Sequence, residues 1–323
     1  MSAYANNETE ALKIAQNALK TTEPLTAEVL SGGLSGSALI KVGTADRACI
    51  VRFWNVKWAE YFPQDLACQV IASDAGYGPQ VFFTDKINRI SAMEYFLPEP
   101  LPEIQMRLHA LVDLVKKIHT GPAFPKGIDK SRDFDETFDE VAKLNPQFFD
   151  LEILRAVKEA IFSATQDSAS AVPCHRDLHQ GNLIYNQNRF VAIDYTWSGM
   201  DDPYVDLATV AIFNCKTPEE EHHLLQLYLG RAPSGKEVAR LSLMKVLAKI
   251  FYGLEFLKLA STASLKAPDR ESKNYMNFGR HGETTSPPEC LEYAISILSE
   301  AVDYAQSEQY FKDLLSLKNS RDI

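Results

Sequence analysis

Apolar and polar residues alternate with a short period in the first third of the chain, which predicts a β-sheet. Three β-prone runs, AEVLSGGLSG, SALIKVG and ACIVRFW, are separated by glycine or by the turn sequence TADR and predict a three-stranded meander. Two further strands are predicted at PQVFFTD and RISAMEYFL, joined by a turn at KIN. The intervening segment YFPQDLACQVIASDAGYG has Pro63 near its start and Gly76 and Gly78 at its end. It therefore predicts one helix inserted into a five-stranded sheet.

The pattern changes to a helical one after the proline-rich segment LPEPLPE, which predicts a hinge between two lobes. The following run LPEIQMRLHALVDLVKKIHT places Leu108, Leu111 and Val115 on one helical face. Two longer helical runs follow, SGKEVARLSLMKVLAKIFYGLEFLKLASTAS and PPECLEYAISILSEAVDYAQ. We therefore expect an α+β chain with an N-terminal lobe at 1–95 and a mainly helical C-terminal lobe at 96–323. Residues 1–22 are expected to be a terminal extension, helical or frayed.

The composition is that of a globular protein and narrows the classes of partner. The chain has 323 residues, of which 46% are hydrophobic and 24% charged, enough for a sizeable core. Its net charge of −10 disfavours nucleic-acid binding, which needs clustered Lys and Arg, and suits a cationic small substrate better.

The termini, the apolar runs and the cysteines indicate where the protein resides. No apolar run approaches the ~18–20 residues that cross a bilayer, and the polar, acidic N-terminus is unlike a signal peptide. The five cysteines are dispersed and form no C-x-x-C pair, which is typical of a reducing compartment. We therefore expect a cytoplasmic protein without membrane insertion.

The densest group of chemically active residues lies in VPCHRDLHQGNLIYNQNRFVAIDYTWSG. Asp177 precedes Asn182 by five residues, and Asp194 follows at the end of the apolar strand FVAID. Phosphoryl transfer from ATP needs a carboxylate that orients and deprotonates an acceptor hydroxyl, and hard oxygen ligands that hold Mg²⁺. Asp177, Asn182 and Asp194 supply these groups. A zinc site built on His175, Asp177 and His179 is an alternative, but no further Cys or His lies at a usual ligand distance.

The segment HRDLHQGN, followed by IDYTWSG, resembles the catalytic core of the aminoglycoside phosphotransferase and choline kinase family. That family carries H-x-D-L-H-x-G-N, then I-D-F/W-E-Y-x-G, then often D-P-x-x-D-L-A, and this chain has DPYVDLA at 202–208. The resemblance covers roughly residues 25–260. It implies a two-lobed, protein-kinase-like fold, with a five-stranded antiparallel sheet and one helix in the N-terminal lobe and a larger, mainly helical C-terminal lobe.

The same resemblance assigns roles in the catalytic segment. It implies that Asp177 is the catalytic base and that Asn182 and Asp194 are the Mg²⁺ ligands. It also implies that His175 and Asp206 brace the catalytic loop. ATP and Mg²⁺ are therefore the expected nucleotide and cofactor.

A nucleotide-binding loop is predicted between the first two strands, where backbone N–H groups would cover the phosphates. Its expected residues are Ser31, Gly32, Gly33, Ser35, Gly36 and Ser37. Arg52, on the third strand, stands where protein kinases have their phosphate-contacting lysine, and the choline-kinase branch often has Arg there. Its expected partner on the inserted helix is Asp65, with Glu60 as a second candidate.

The strand AMEYF resembles the one that leads into the inter-lobe linker of this fold. The resemblance implies that Met93 lines the adenine pocket. The backbones of Glu94 and Phe96 would form hydrogen bonds with adenine.

The acceptor site is expected to lie near three residues, Trp197, Tyr252 and Glu255. Trp197 follows IDYT, where choline kinases have an aromatic residue, and the helix KIFYGLEFLKLA resembles their helix with spaced aromatics. Tyr252 matches one of those aromatics and Glu255 replaces the next. An aromatic face beside a carboxylate suits an amine or ammonium group, although Tyr252 can equally be a core residue. Thr196 departs from the family's usual Glu.

The sequence therefore predicts a small-molecule kinase that moves the γ-phosphate of ATP to a hydroxyl of a choline- or ethanolamine-like molecule. Aminoglycoside and thiamine kinases stay open. A protein Ser/Thr kinase is a rival, but no D-F-G, no A-P-E and no activation loop are present. A catalytically inactive binding protein is another rival; its sign would be loss of Asp177, Asn182 or Asp194, and all three are present.

Overall fold

The computed structural model describes most of the chain in seven ranges. These are residues 5–30, 37–127, 129–144, 150–165, 171–260, 274–278 and 286–318. Five of the six residues of the predicted nucleotide loop, Ser31, Gly32, Gly33, Ser35 and Gly36, lie outside them, and Ser37 lies inside.

The N-terminal part is a five-stranded antiparallel sheet of order β1-β2-β3-β5-β4. The helix α2, Phe62–Asp74, connects β3 to β4. The predicted five strands and inserted helix are thus confirmed. The strands are β1 (Thr26–Leu30), β2 (Ala38–Gly43), β3 (Ala48–Phe53), β4 (Val81–Asp85) and β5 (Ile90–Glu94).

The two faces of this sheet have different partners because side chains alternate along each strand. Ile40, Val51 and Ala92 lie side by side across β2, β3 and β5 and pack in one cluster with residues of helix α1, Ala5–Ala18. The N-terminal extension is therefore a covering helix, which the sequence analysis left open. Arg52 and Ser91 are neighbours on the opposite face.

The remaining described chain is mainly helical, in agreement with the predicted fold class. Two short ladders interrupt the helices: β6 (Val172–Cys174) pairs with β9 (Gly199–Asp201), and β7 (Leu183–Asn186) pairs with β8 (Arg189–Ala192). The helices are α3 (Ile104–His119), α4 (Lys130–Lys143), α5 (Leu151–Thr165), α6 (Tyr204–Asn214), α7 (Pro218–Leu229), α8 (Gly235–Ala260), α9 (Pro287–Ala305) and α10 (Glu308–Lys318).

Helix α8 is the centre of the helical part, packed against α4, α5, α6, α9 and α10. Every residue of α6 is buried, which explains its apolar sequence with no polar face. Among the helices of the described ranges, none combines the length and apolarity that a membrane span needs.

The two ladders hold both ends of the chemically active segment. Cys174, just before the loop, pairs with Gly199, just after it, and Leu183 pairs with Ala192 in the hairpin between them. The Glu99 N–H of the linker donates to the Tyr185 carbonyl at 2.9 Å. The two ends of the segment are therefore joined to each other, and its middle is joined to the linker.

Gly253 sets how closely α8 approaches α9. A Cβ at this position would lie 2.3 Å from Cγ of the fully buried Leu298. We expect Gly253→Ala to lower the unfolding free energy by about 1–3 kcal/mol through overpacking, although alanine favours helices intrinsically. Thermal and urea unfolding would measure the change.

Gly235→Ala is the matched control, because nothing lies within 4 Å of a Cβ at that position at the start of the same helix. It should be neutral or stabilising. Equal effects of the two substitutions would contradict the close α8–α9 contact.

Candidate active site

Asp177 is held through both of its carboxylate oxygens. The Asn182 side-chain Nδ2 donates to Asp177 Oδ2 at 2.8 Å and to the Asp177 carbonyl at 2.9 Å. The Tyr252 hydroxyl donates to Oδ1 at 2.6 Å. A single 3-10 turn, Gln180–Asn182, produces the five-residue spacing, and His179 Nδ1 caps it by accepting from the Gly181 N–H at 3.0 Å. The carboxylate therefore has one defined orientation.

Tyr252 reaches Asp177 from helix α8, and the bond between them was not foreseen from sequence. Its buried ring packs edge-on against Phe213 at 5.0 Å and against Phe251 at 5.9 Å. Burial, together with the Asp177 carboxylate, raises the pKa of the Tyr252 phenol well above its usual value. The phenol is therefore a neutral hydrogen-bond donor to Asp177, and its ring belongs to the core.

Asp206 braces the loop that carries Asp177. Its carboxylate is buried and accepts from the backbone N–H groups of His175 at 2.8 Å and Arg176 at 2.6 Å, and it contacts His119 Nε2 at 3.2 Å. Burial by itself raises the pKa of Asp206, but His119 and His175 outweigh it and hold the pKa below the usual value. The brace is therefore an ionised carboxylate.

The His175 ring does not itself contact Asp206 in this brace. Its Nε2 lies 3.1 Å from the Ile193 carbonyl, and the ring packs against the Tyr195 ring at 4.8 Å with the two planes tilted. The brace thus runs through the His175 backbone, while the ring contacts the residues on either side of Asp194. His175 and Asp206, the pair predicted from sequence, are therefore in contact. The His175 ring also connects the loop that carries Asp177 to the loop that carries Asp194.

The zinc alternative does not correspond to a gathered set of ligands. Within the described ranges, one group of three His, Cys, Asp or Glu side chains is close enough to hold an ion, namely His119, Cys174 and Asp206. His119 and Asp206 already contact each other in the brace.

Arg176 was missed by the sequence analysis and connects the catalytic loop to β9. Its backbone has φ 69°, a left-handed conformation that costs energy for a residue with a Cβ. Its buried guanidinium pairs with Asp201 at 2.8 Å and donates to the Met200 carbonyl at 2.8 Å. These contacts, with the Asp206 brace, stabilise the strained backbone just before Asp177.

Asp194 also has a left-handed backbone, with φ 62°, which Asp tolerates better than most residues. Its Oδ1 accepts from the Thr196 hydroxyl at 2.6 Å, and its Oδ2 lies 3.6 Å from Arg52. Burial opposes ionisation, but Arg52 and Thr196 outweigh it and hold the pKa of Asp194 below the usual value. Thr196, which replaces the family's Glu, therefore orients this carboxylate.

Arg52 joins the sheet, helix α2 and the loop after β8. Arg52 is 7% exposed, and its guanidinium lies 3.9 Å from Asp65 Oδ2 and 3.6 Å from Asp194 Oδ2 and stacks over the Trp54 ring at 4.0 Å. The expected partner on α2 is thus Asp65, while Glu60 is exposed. Both ion-pair distances are long enough that Arg52 keeps N–H groups for an anionic ligand.

Two oxygen groups near this network suit a hard divalent cation. Because the Asn182 amide nitrogen faces Asp177, its Oδ1 points elsewhere, and no described residue donates to it. Asp194 is ionised and its side chain is 37% exposed. An amide oxygen and a carboxylate are ligands that Mg²⁺ accepts, so the residues present fit that ion.

The predicted adenine residues lie where β5 leaves the sheet. The Met93 side chain is buried, and its sulfur accepts from Gln69 at 3.3 Å. The Glu94 N–H donates to the Gln80 carbonyl at 2.8 Å, so it is already bonded. No described residue accepts from the Phe96 N–H, and that group can meet a ligand.

An aromatic wall, formed by Trp58, Tyr61, Trp197 and Phe251, stands beside acidic residues of α4. Consecutive rings of the wall are 5.5, 5.9 and 5.9 Å apart. Burial raises the pKa of Tyr61, the nearby carboxylates of Glu60, Asp133 and Glu136 add to the rise, and Lys258 opposes it. The wall therefore combines aromatic faces with more acidic than basic neighbours.

The three predicted acceptor residues are thus distributed over different contacts. Trp197 belongs to the aromatic wall, and Tyr252 binds Asp177. Glu255 lies 2.8 Å from Lys258 and accepts from Thr137 at 3.2 Å. Its charge is therefore matched by a lysine of the same helix.

Comparison with known proteins gives a family-level match. The model of a family described as "Phosphotransferase enzyme family" matches residues 26–241, about two thirds of the chain. A curated relative, Protein LicA from Haemophilus influenzae, is 34% identical over 59 residues, 18% of this chain and 22% of that protein. The chain thus matches about a fifth of the length of this relative.

Solved structures confirm the predicted two-lobed, protein-kinase-like fold. A choline/ethanolamine kinase family protein from Mesorhizobium loti has a TM-score of 0.67 at 17% identity, covering 92% of this chain and 93% of that one. Choline kinase LicA from Streptococcus pneumoniae has 0.61 at 20% identity, covering 97% and 100%. A LicA structure in complex with AMP has 0.58 at 18% identity, covering 97% and 99%.

Asp65 should make stability depend on pH. Burial raises its pKa from 3.8 to about 7, with Arg52 opposing and Asp194 adding to the rise. Since the folded-state pKa exceeds the unfolded one, the folded state holds the proton more tightly, and wild-type stability falls as pH rises from about 4 to about 7.

Asp65→Asn cannot ionise at this position, so the fall in stability with rising pH that Asp65 causes is absent from the variant. The unfolding free energy of the variant relative to wild type should therefore increase by about 2 kcal/mol between about pH 5 and about pH 8. Urea unfolding at the two pH values measures it. A difference that does not change with pH would contradict the raised pKa.

Proposed function

We propose that this chain, which belongs to the phosphotransferase enzyme family, transfers the γ-phosphate of ATP to a hydroxyl of a small amine- or ammonium-bearing molecule. The observation that carries the proposal is the Asp177 carboxylate, fixed by Asn182 and Tyr252. A carboxylate in one orientation beside ligands suited to Mg²⁺ is the arrangement that phosphoryl transfer requires.

Asp177 orients the acceptor hydroxyl and takes its proton. The oxygen Oδ1 accepts one hydrogen bond from Tyr252 and keeps a second lone pair for the acceptor O–H. Because Asn182 and Tyr252 prevent rotation of the carboxylate, the acceptor oxygen is aligned before reaction and no reorientation is needed at the transition state.

Asn182 and Asp194 would hold Mg²⁺. When bound, this ion would neutralise phosphate charge and orient the terminal phosphate for in-line transfer. The low pKa of Asp194 supports the assignment, since the carboxylate is ionised before the ion arrives.

Arg52 binds the phosphates of the nucleotide. Its guanidinium is held between Asp65 and Asp194 on the face of the sheet opposite α1 and stacks on Trp54. It is therefore positioned in advance and can add positive charge where negative charge develops on the transferred group. A LicA structure of the same fold contains AMP, which supports a nucleotide as the donor.

The aromatic wall and the acids of α4 support an ammonium-bearing acceptor. A cation over an aromatic face gains about 0.5–2 kcal/mol, and Asp133 and Glu136 add negative potential at Tyr61. Proteins named choline and choline/ethanolamine kinases share the fold. We therefore assign the cationic part of the acceptor to this wall.

The test is ATP consumption with a panel of acceptors, in which choline and its neutral carbon isostere differ only in charge. Choline and ethanolamine are compared with dimethylbutanol, the neutral carbon isostere of choline, and with thiamine and an aminoglycoside. We expect kcat/KM for an ammonium alcohol to exceed that for the neutral isostere by about tenfold or more, because the isostere loses the cation–π and charge terms.

Asp177→Asn is the control for this assay. It should reduce turnover by orders of magnitude while retaining binding of an ATP analogue. Full activity in that variant, or equal activity on the neutral isostere, would refute the proposed mechanism or the proposed acceptor class respectively.

Tyr252→Phe removes only the hydroxyl that holds Asp177. We expect kcat to fall about tenfold, because a lost hydrogen bond to a charged group is worth about 1.5–3 kcal/mol. The KM for ATP should not change, since Tyr252 contacts the base and not the predicted nucleotide residues. Steady-state kinetics with varied ATP separates the two parameters.

Tyr304→Phe is the matched control. Tyr304 is also a largely buried tyrosine that donates to an aspartate, Asp313, but it does so at the α9–α10 contact. It should leave kcat unchanged. A similar loss in both variants would show that the effect of Tyr252→Phe is one of general stability.

A further inference from the structure

A cavity of about 850 Å³ lies in the helical part, beside the catalytic loop. Gln180 of that loop lines it, together with residues of the linker, the β7–β8 hairpin and helices α6, α8 and α9. Asp177, Asn182, Asp194 and Arg52 are not among its lining residues. Its volume is in the range of small-molecule sites, about 300–1,000 Å³, so it has room for a ligand apart from the candidate active site.

The basic residues in the wall of this cavity outnumber the acidic ones. Lys245 and Lys249 come from consecutive turns of α8, and Lys216 and Arg107 complete the basic set. The acidic set has three members. The whole chain has a net charge of −10, whereas this wall has a net positive charge. The wall therefore favours an anionic ligand.

The three carboxylates of the wall already accept hydrogen bonds from the protein. Glu300 Oε2 accepts from Lys249 at 2.6 Å and from the Tyr275 hydroxyl at 2.8 Å. Glu221 pairs with Lys245, and Glu99 accepts from the Asn186 amide and the Gln187 N–H. These acids therefore stabilise the wall itself.

The two α8 lysines retain donor capacity. An ammonium group has three N–H donors, and the contacts described for Lys245 and Lys249 are one carboxylate each. Their side chains are only 16% and 14% exposed, and like charges one turn apart repel. Burial, with Lys245 adding to it, lowers the pKa of Lys249 although Glu300 opposes the change. An anion between the two ammonium groups would relieve this repulsion.

The wall also contains apolar and aromatic residues. Leu183, Ile212, Met276 and Tyr185 line the cavity along with the lysines. A ligand that fits must therefore carry an apolar body as well as a charged group, since apolar surface favours removal from water.

We propose that this cavity is a second ligand site that binds a small organic anion, a carboxylate or phosphate on an apolar body, through Lys245 and Lys249. The site is joined to Asp177 by a chain of three contacts. Gln180 donates to the Phe213 carbonyl at 3.0 Å, the Phe213 ring packs on Tyr252, and the Tyr252 hydroxyl donates to Asp177. The binding claim is independent of the proposed phosphotransfer.

The test uses fluorine NMR on the full chain with three probes that share one apolar body. These are para-trifluoromethyl-phenylacetate, the corresponding benzylphosphonate and the corresponding phenethylammonium ion. All titrations are run with a saturating non-hydrolysable ATP analogue and Mg²⁺, so that the proposed nucleotide site is filled. We expect at least one acid to bind, about tenfold or more tightly than the ammonium ion, and the ratio of the two acids identifies the head group.

Two variants test the assigned lysines. Lys245→Met should weaken binding of the acid about tenfold, the effect of one lost charge-assisted bond. The double variant Lys249→Met, Glu300→Gln should also weaken binding of the acid about tenfold. Both partners of the ion pair are replaced together, so that Glu300 is not left as a carboxylate without its cation. Lys312→Met, on the exposed face of α10, is the control and should bind like wild type.

Three outcomes would overturn the proposal. They are no binding by either acid, equal binding of the ammonium ion, and unchanged affinity in both lysine variants. Thermal unfolding of each variant confirms that a loss of binding occurs in folded protein. Because no turnover is measured, a negative binding result does not affect the proposed phosphotransfer. In the same way, absence of phosphotransfer would not affect the proposed anion site.

Discussion

The Asp206 carboxylate is the interaction on which the candidate site depends. Taking a carboxylate out of water is costly unless donors replace the solvent, and Asp206 is fully buried with two backbone N–H groups and a histidine around it. These donors come from two consecutive residues, so their backbone has one orientation. The left-handed Arg176 that results places Asp177 toward the Asn182 amide and the Tyr252 hydroxyl. The hydrogen bonds that the buried Asp206 carboxylate requires thereby determine the direction of the Asp177 carboxylate.

A second carboxylate, Asp65, is buried with less compensation. Its nearest cation, Arg52, is 3.9 Å away and shared with Asp194, and the pKa of Asp65 rises to about 7. The network therefore favours ionisation of Asp194 over that of Asp65. Preferential ionisation of Asp194 suits a site for phosphoryl transfer, because Asp194 is the carboxylate that would bind a cation. Asp65 then serves mainly to keep Arg52 beside the sheet.

Helix α8 connects the features of the helical part. Gly253 allows the close approach to α9, and the same helix carries Lys245 and Lys249 of the cavity wall, Phe251 of the aromatic wall and Tyr252, which donates to Asp177. Because its 26 residues form one rigid element, these groups have fixed separations along the helix axis. A shift of α8 would therefore move Phe251 of the aromatic wall, Tyr252 and the lysines of the cavity together.

The sequence by itself determined the parts whose physics is local. Alternating strands with glycine and proline between them predicted the sheet and α2, and the Asp177–Asn182 spacing corresponds to one short turn, so these could be found without a structure. Asp194 at a strand end belongs to the same class.

Only the tertiary structure decided the rest. Tyr252 meets Asp177 across 75 residues of sequence, Glu255 meets Lys258 and Thr137, and Lys249 meets Glu300 across 51 residues. Such contacts depend on how α8 packs against α4, α6 and α9, and no local pattern encodes that packing. The hydroxyl of a tyrosine in an apolar stripe looks the same in sequence whether it meets solvent or a catalytic carboxylate.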